Sequence, residues 1–274
     1  TFAIGAASHG SQRWISIGPF SLQPSELAKI GIILFLAAYI SSKSREMRQW
    51  KKMVIPFLFA IPIIVIVGIE NLSTCIILLA ISFIMIFVAT PLWVPFVVIG
   101  LIGVAGAGGL LLTQGYRMER ITVWLDPAAS EKGHQTIQGL YAIGSGGLFG
   151  KGLGQSMQKL GFLPEANNDM IFSVICEELG LFGALCVLAL FFALIWRFMV
   201  IAVNAPDLYG SMIVVGVIAH IGIQVFINIA VATNTIPNTG IPLPFISYGG
   251  SSLVFMLLEM GLVLSVSRYI NVKK

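Results

Sequence analysis

Long apolar runs, one after another and almost free of charge, decide most of what this chain can become. A membrane-spanning helix needs roughly 20 mostly apolar residues, fewer where flanking side chains snorkel, and about seven segments qualify. They are Leu27–Ile40, Val54–Ile69, Thr74–Ala89, Val94–Thr113, Ile171–Ile201, Tyr209–Thr233 and Ser252–Val266. Helices of this kind satisfy their backbone polar groups internally, as a hydrocarbon solvent demands. Composition agrees, because 57% of the 274 residues are hydrophobic and 10% are charged, whereas a soluble domain carries about a quarter charged residues. The chain therefore reads as an all-α, polytopic integral membrane protein, a single membrane domain over 1–274. No soluble domain of useful size can be cut from it. It opens "TFAIGAASHG", with neither an initiator Met nor a signal-peptide pattern, and is expected to lack upstream membrane passages. Cys75, Cys176 and Cys186 lie in apolar runs at a spacing that matches no metal or redox motif, and read as small core residues.

Charge placement gives a direction. Segment 41–52 holds Lys43, Arg45, Arg48, Lys51 and Lys52 against the single acid Glu46, which makes it cytoplasmic by the positive-inside rule. Alternation then puts 114–170 and 234–251 outside and the basic tail, with Arg268, Lys273 and Lys274, inside. The net charge of +4 is accounted for by this topology, and no nucleic-acid partner is implied.

The large outer segment, about 114–170, reads as a loop without clear helices, and loops of that length are usually functional. It contains "YRMERITVWLDP", a Gly-rich stretch from Gly144 to Gly154, and "LGFLPEANNDMIF". Arg117 and Arg120 stand three residues apart, either as an amphipathic turn with snorkelling arginines or as a fork for phosphate oxygens. The Gly-rich stretch could cradle phosphate with its N–H groups, but lacks nucleotide-loop spacing and reads better as tightly packed or flexible backbone. Asp169 or Asn168 could cap the helix that begins near Met170, and Asp169 serves equally well as a general base. The second outer loop, "TNTIPNTGIPLPFISYGGSS", is irregular backbone that needs protein or water to cover it.

In "RWISIGPFSLQPSELAK", Pro24 suits a first helical turn and Glu26 the positive helix end, with Lys29 one turn on. The plain reading is a local ion pair; the sharper one has Lys29 facing an anionic ligand. Glu177, Glu178 and Glu259 lie inside apolar spans, where acids face a cavity or a partner by default. Proton coupling is one reading of them and a structural hydrogen-bond network the more economical one. His220 and Asn228 read as helix–helix hydrogen-bonding residues.

Several stretches, in order along nearly the whole chain, resemble the SEDS family of bacterial cell-wall proteins, the FtsW/RodA/SpoVE group. They are "QRWISIGPFSLQPSELAK", "ENLSTCIILL", the run from "GHQTIQGLYAIGSGGLFGKGLG" through "FLPEANNDMIF", and "IPNTGIPLPFISYGGSS". The wording is nearer to FtsW and SpoVE than to RodA. Two stretches depart from the family pattern. Glu70, Asn71 and Ser73 replace Pro, Asp and Gly of "PDLGT", and Asn167, Asn168 and Met170 replace residues of "PEAHTDFIF".

The resemblance implies a fold of roughly ten helices, of which the spans above would be the C-terminal seven or so. It implies a peptidoglycan glycosyltransferase that polymerises lipid II into β-1,4 glycan strands in division or sporulation, with a class B penicillin-binding transpeptidase as partner. The family's catalytic aspartate falls on Asp169. Arg13, Lys29, Glu26, Arg117, Arg120, Glu165 and Ser247 are the expected substrate-binding residues. The undecaprenyl pyrophosphate leaving group needs positive charge. No cofactor is required for certain, although a divalent cation (Mg or Mn) could assist; no metal ligands are assigned. A lipid II flippase and a scaffold for the transpeptidase are the alternatives.

Overall fold

The structure, a computed structural model, describes residues 6–8, 11–17, 20–90, 96–98, 100–101, 115–130 and 133–270. An antiparallel ribbon of three short strands, β1 (Ala6–Ser8), β2 (Ser11–Ile17) and β3 (Phe20–Leu22), precedes the helices and adds a detail the all-α reading lacked. The helices are α1 (Pro24–Ser42), α2 (Trp50–Glu70), α3 (Leu72–Ala89), α4 (Gly115–Leu125), α5 (His134–Gly146), α6 (Ile171–Asn204), α7 (Leu208–Ala232) and α8 (Gly250–Arg268). Among the described residues, six of them (α1, α2, α3, α6, α7 and α8) are long and apolar enough to cross a membrane. These match six of the expected spans to within a few residues. The seventh, Val94–Thr113, falls outside the described residues except at 96–98 and 100–101.

Helix starts follow local chemistry. Pro24 occupies the first turn of α1, where its missing N–H leaves no bond unmade. The Asn71 side chain accepts the Thr74 N–H at 3.2 Å and caps α3. Asn and Asp are equally good N-caps, so the Asn71 departure from the family pattern leaves this cap intact.

Residues 1–97, 195–223 and 249–274 form one compact unit, and 98–194 with 224–248 a second. In the first, α1, α2 and α3 pack on one another and α8 on α1. Ile33, Leu36, Ala37 and Ile40 of α1 and Leu78, Ile81 and Met85 of α3 are buried there at helical spacing. Two buried polar pairs interrupt this core. Lys29 Nζ lies 2.8 Å from Glu26 Oε1, so the local ion pair is present. Nδ1 of His220 lies 2.9 Å from both carboxylate oxygens of Glu259, which places His220 opposite a carboxylate from the neighbouring helix. Between α1 and α2, Glu46 pairs with Lys43 at 3.1 Å and Lys52 at 3.2 Å. Hydrogen bonds from Lys43 first and Lys52 second hold its carboxyl below the usual range. Cys75 is buried, but Cys186 is exposed on α6, beside the exposed Leu185 and Phe182. It is therefore a surface residue of an apolar helix rather than a core one.

The second unit holds α4 and α5, so segment 114–170 is not devoid of helix. Its helices carry enough polar residues on one face to escape a hydropathy criterion. The unit is organised by a break in α6. At Gly180 the backbone leaves helical geometry, with φ 67° and ψ −167°, and the Gly-rich loop lies in the gap. Lys151 and Gly152 donate their N–H groups to the carbonyls of Glu177 and Glu178, each at 2.9 Å. Leu181 and Phe182 donate theirs to Gly147 and Leu148 at 2.9 and 3.1 Å. Groups that a broken helix would leave orphaned are thus paired. The carboxylates reinforce the joint. Glu177, fully buried, accepts from Lys151 Nζ at 2.6 Å and Ser156 Oγ at 2.5 Å, and Glu178 accepts from Lys159 Nζ at 3.1 Å.

This disposes of the phosphate-cradle reading, because Lys151 and Gly152 have spent their N–H groups on α6. It also gives Glu177 and Glu178 the structural-network role rather than proton coupling. A Cβ on Gly150, where φ is +78°, would stand 2.2 Å from the Glu178 carbonyl oxygen. Gly150→Ala should therefore destabilise by about 2–5 kcal/mol, from left-handed strain plus overpacking. Gly144→Ala, within α5 and meeting nothing within 4 Å, should not lower the melting temperature in detergent and should raise it slightly through helix propensity.

Candidate active site

The site grows from the turn that enters α6. Pro164–Met170 is a series of turns, with Glu165 in the left-handed region at φ 53°. The Glu165 carbonyl accepts the N–H groups of Asn168 at 2.9 Å and Met170 at 3.3 Å. The Asn168 side-chain amide donates to the Glu165 carboxylate. Both acids of this stretch thereby acquire a place: Glu165 closes the turn, and the turn aims Asp169 inward.

Asp169 is 7% exposed. Its carboxylate receives hydrogen bonds from its own backbone N–H and from Gln135 Nε2 at 3.4 and 3.5 Å. Neither is a bond to the second or third residue of the helix, so Asp169 is not acting as a cap. Asn168 gives its amide donor to the Glu165 carboxylate. The capping role weighed for this stretch is therefore not taken by the Asp169 carboxylate.

Backbone contacts fix the position. Asn228 on α7, fully buried, donates to the Asp169 carbonyl at 2.7 Å and the Ile241 carbonyl at 2.8 Å. It joins two irregular segments rather than two helices, which corrects the helix–helix expectation. The Ser247 hydroxyl donates to the Asn168 carbonyl at 2.6 Å and accepts the Leu243 N–H at 2.7 Å. The Tyr248 N–H donates to the Asn167 carbonyl at 2.8 Å. The Pro/Gly-rich loop therefore folds onto the 167–169 turn, and Gly240 brings it to the carboxylate: an ideal Cβ there would sit 4.0 Å from Asp169 Oδ2. On the other side, Trp124 Nε1 donates to the Asn234 carbonyl at 3.0 Å, and Arg120 donates to the Asn238 carbonyl at 3.1 Å. α4 is thus bound to the same loop.

Burial pushes the Asp169 carboxyl up to about 6, with the nearby Glu165 charge adding to the rise. Its own N–H, Gln135 and the Arg120 guanidinium pull the other way. At pH 7 such a group is about nine-tenths ionised yet more basic than an exposed aspartate.

Of the expected residues, Glu165, Ser247 and Arg120 lie with Asp169 in one unit, Arg120 exposed. Lys29 and Glu26 are paired with each other in the other unit. The side chains of Arg13 and Arg117 lie outside the described residues. Gln135, Asn228 and Asn238 were not anticipated in this setting. All are neutral amides, whose importance comes from spatial neighbours far off in sequence. The described residues contain no group of three His, Cys, Asp or Glu side chains able to hold a metal ion.

Comparison with known proteins decides the family. The model of the FtsW/RodA/SpoVE cell cycle proteins matches residues 1–272. The chain belongs to the FtsW/RodA/SpoVE family. Stage V sporulation protein E of Bacillus subtilis is 47% identical over 272 residues, covering 97% of this chain and 74% of that protein. A Geobacter protein named probable peptidoglycan glycosyltransferase FtsW is 37% identical, covering 96% and 73%. Among solved structures, a chain of a peptidoglycan synthase complex, described as coordinating polymerization and crosslinking, matches with TM-score 0.80 at 28% identity, over 98% of this chain and 77% of that one. The RodA crystal structure from Thermus thermophilus matches with TM-score 0.68 at 29% identity, over 97% and 72%. The identities place this family member nearer to SpoVE and FtsW than to that RodA.

Asp169 is less stable charged in the fold than in the unfolded chain, because its pKa is raised. The resulting penalty is absent below pH 4, grows as pH rises towards 6, and is complete above it. Asp169→Asn should therefore raise the melting temperature at pH 7–8, by about 1–3 kcal/mol of stability, and give no gain at pH 4. Thermal unfolding in detergent at the two pH values measures it.

Proposed function

We propose that this protein is a peptidoglycan glycosyltransferase that polymerises lipid II into β-1,4 glycan strands, with Asp169 as the general base. The observation that carries the reading is a buried carboxylate with raised basicity, relieved of any capping duty and set among irregular loops. The relatives' names and the synthase complex support the reaction class.

The chemistry follows from that carboxylate. Asp169 accepts the proton of the acceptor sugar's 4-hydroxyl as its oxygen attacks the donor's anomeric carbon. The C1–O bond to pyrophosphate breaks on the opposite face, so the α-linked donor yields a β-1,4 link. The electron pair leaves with undecaprenyl pyrophosphate, whose growing negative charge calls for a cation. Arg120 is the first choice, since its charge already acts on Asp169. Arg117 is a further candidate.

The protein is proposed to lie in the bacterial cytoplasmic membrane with 41–52 and the C-terminus inside. The bonds joining 167–169 to 241–248 support placing both connecting segments on one face, the outer one by alternation from the basic loop. There the sugars of lipid II would meet the loops while its tail stays among lipids. A class B penicillin-binding transpeptidase is the proposed partner. The transporter alternative rested partly on an intramembrane Glu259, and His220 now accounts for that residue.

Full-length protein with its transpeptidase partner, given labelled lipid II, provides the test. Asp169→Asn should lower polymerisation by about 10²-fold or more. Strands forming at the unaltered rate, with contaminating polymerases excluded, would overturn the assignment.

A further inference from the structure

Three amides of the active-site unit form a chain whose direction is fixed at one end. The Gly240 N–H lies 2.9 Å from Asn238 Oδ1. A backbone N–H only donates, so the Asn238 atom facing it must be the oxygen. That leaves Nδ2 of Asn238 to donate to Gln135 Oε1, at 3.1 Å. With its oxygen engaged, Gln135 can present only its NH2 group to Asp169, at 3.4 and 3.5 Å from the two carboxylate oxygens. The assignment of each amide, which geometry alone usually leaves open, follows here from one peptide N–H.

We infer that Gln135 is a positioning residue for the glycosyl transfer, oriented by Asn238 and Gly240 so that Asp169 always meets a donor and never an acceptor. This rests on the reading of Asp169 as the base. A donor stabilises the ionised carboxylate and disfavours the protonated one. The relay keeps the base empty before the acceptor hydroxyl arrives, and after the proton is taken it favours release. It also leaves the carboxylate further lone pairs for the incoming hydroxyl, because Gln135 and one backbone N–H occupy only part of its acceptor capacity.

Other groups do not take over this task. On its own turn Asp169 faces Glu165, whose charge opposes ionisation, and from α4 it feels Arg120, which favours it weakly. His134, the only titratable residue of α5 apart from Tyr141, bonds the Phe162 carbonyl through Nε2 at 3.0 Å. Glu177 and Glu178 of α6 are held by Lys151 and Lys159. Residues 224–248 of α7 and the loop after it contain no charged side chain. Gln135 is therefore the neutral side-chain donor on which the acid limb of the reaction depends.

The experiment is the pH dependence of lipid II polymerisation by the full-length protein with its transpeptidase partner. The variants are Gln135→Met, Asn238→Leu and the double replacement, none of which adds charge. Each should move the acid limb of the rate upward, by at most about one pH unit, since a donor to the carboxylate is lost. Because Asn238 acts through Gln135, the double variant should shift the limb no further than Gln135→Met does. Gln135→Met leaves the Asn238–Gly240 turn intact, and unfolding curves measured alongside separate a lost fold from a lost donor. A slower rate with an unmoved limb, or a double shift equal to the sum of the single ones, overturns the relay. Asp169→Asn distinguishes the two levels. If that variant keeps the unaltered rate, the base reading falls and the relay with it; if it is inactive while the limb stays put, the relay alone falls.

Discussion

Withdrawing one carboxylate from water at the entrance of a membrane helix is the constraint around which the second unit is arranged. The charged form of Asp169 loses hydration, and a fully apolar setting would simply neutralise it. A full set of donors or a close cation would hold it ionised but leave it a poor base. The structure lies between these limits, with burial against Gln135, one backbone N–H and a more distant arginine. Asn228 and Ser247 bind the backbone of the turn and leave the charge alone. Position and basicity are thereby set by different residues, which lets the geometry be rigid without lowering the carboxylate's basicity.

That rigidity has its own support further down α6. A helix that continued through Gly180 would leave no place for the Gly-rich loop. The break exchanges four backbone hydrogen bonds with residues 147–152 and uses Glu177 and Glu178 to hold Lys151 and Lys159. α5, which carries Gln135, enters this joint at Gly146, where a Cβ would stand 1.9 Å from the Cys176 carbonyl oxygen of α6. The joint therefore ties the helix that presents Gln135 to the helix that Asp169 introduces. Two acids that looked costly inside an apolar span are the clamps of this joint.

The membrane helices were legible because hydropathy is additive along the chain, and a run such as Thr74–Ala89 has no other plausible solvent. Asp169 was legible as one of two choices, cap or base, and its carboxylate meets Gln135 rather than the first turn of α6. What stayed hidden was decided by partners remote in sequence. Nothing near "GHQTIQ" announces that Gln135 will meet a carboxylate 34 residues away, or that Asn238 will orient it from 103 residues away. α4 and α5 were missed because their polar faces dilute the hydropathy signal. The glycines of 144–154 were read as tightly packed or flexible backbone, and Gly146 and Gly150 are the tightly packed ones; their counterpart, the break at Gly180, leaves no local mark in "EELGLFG".

The central claim is that Asp169 is a buried carboxylate titrating near 6. Infrared difference spectroscopy of the purified protein across pH reads it directly, through the C=O stretch of a protonated carboxyl group. The account predicts a band that disappears with a midpoint of about 6 and is missing from Asp169→Asn. A midpoint near 4, the ordinary range for an exposed aspartate, or a band that persists in Asp169→Asn, would contradict it.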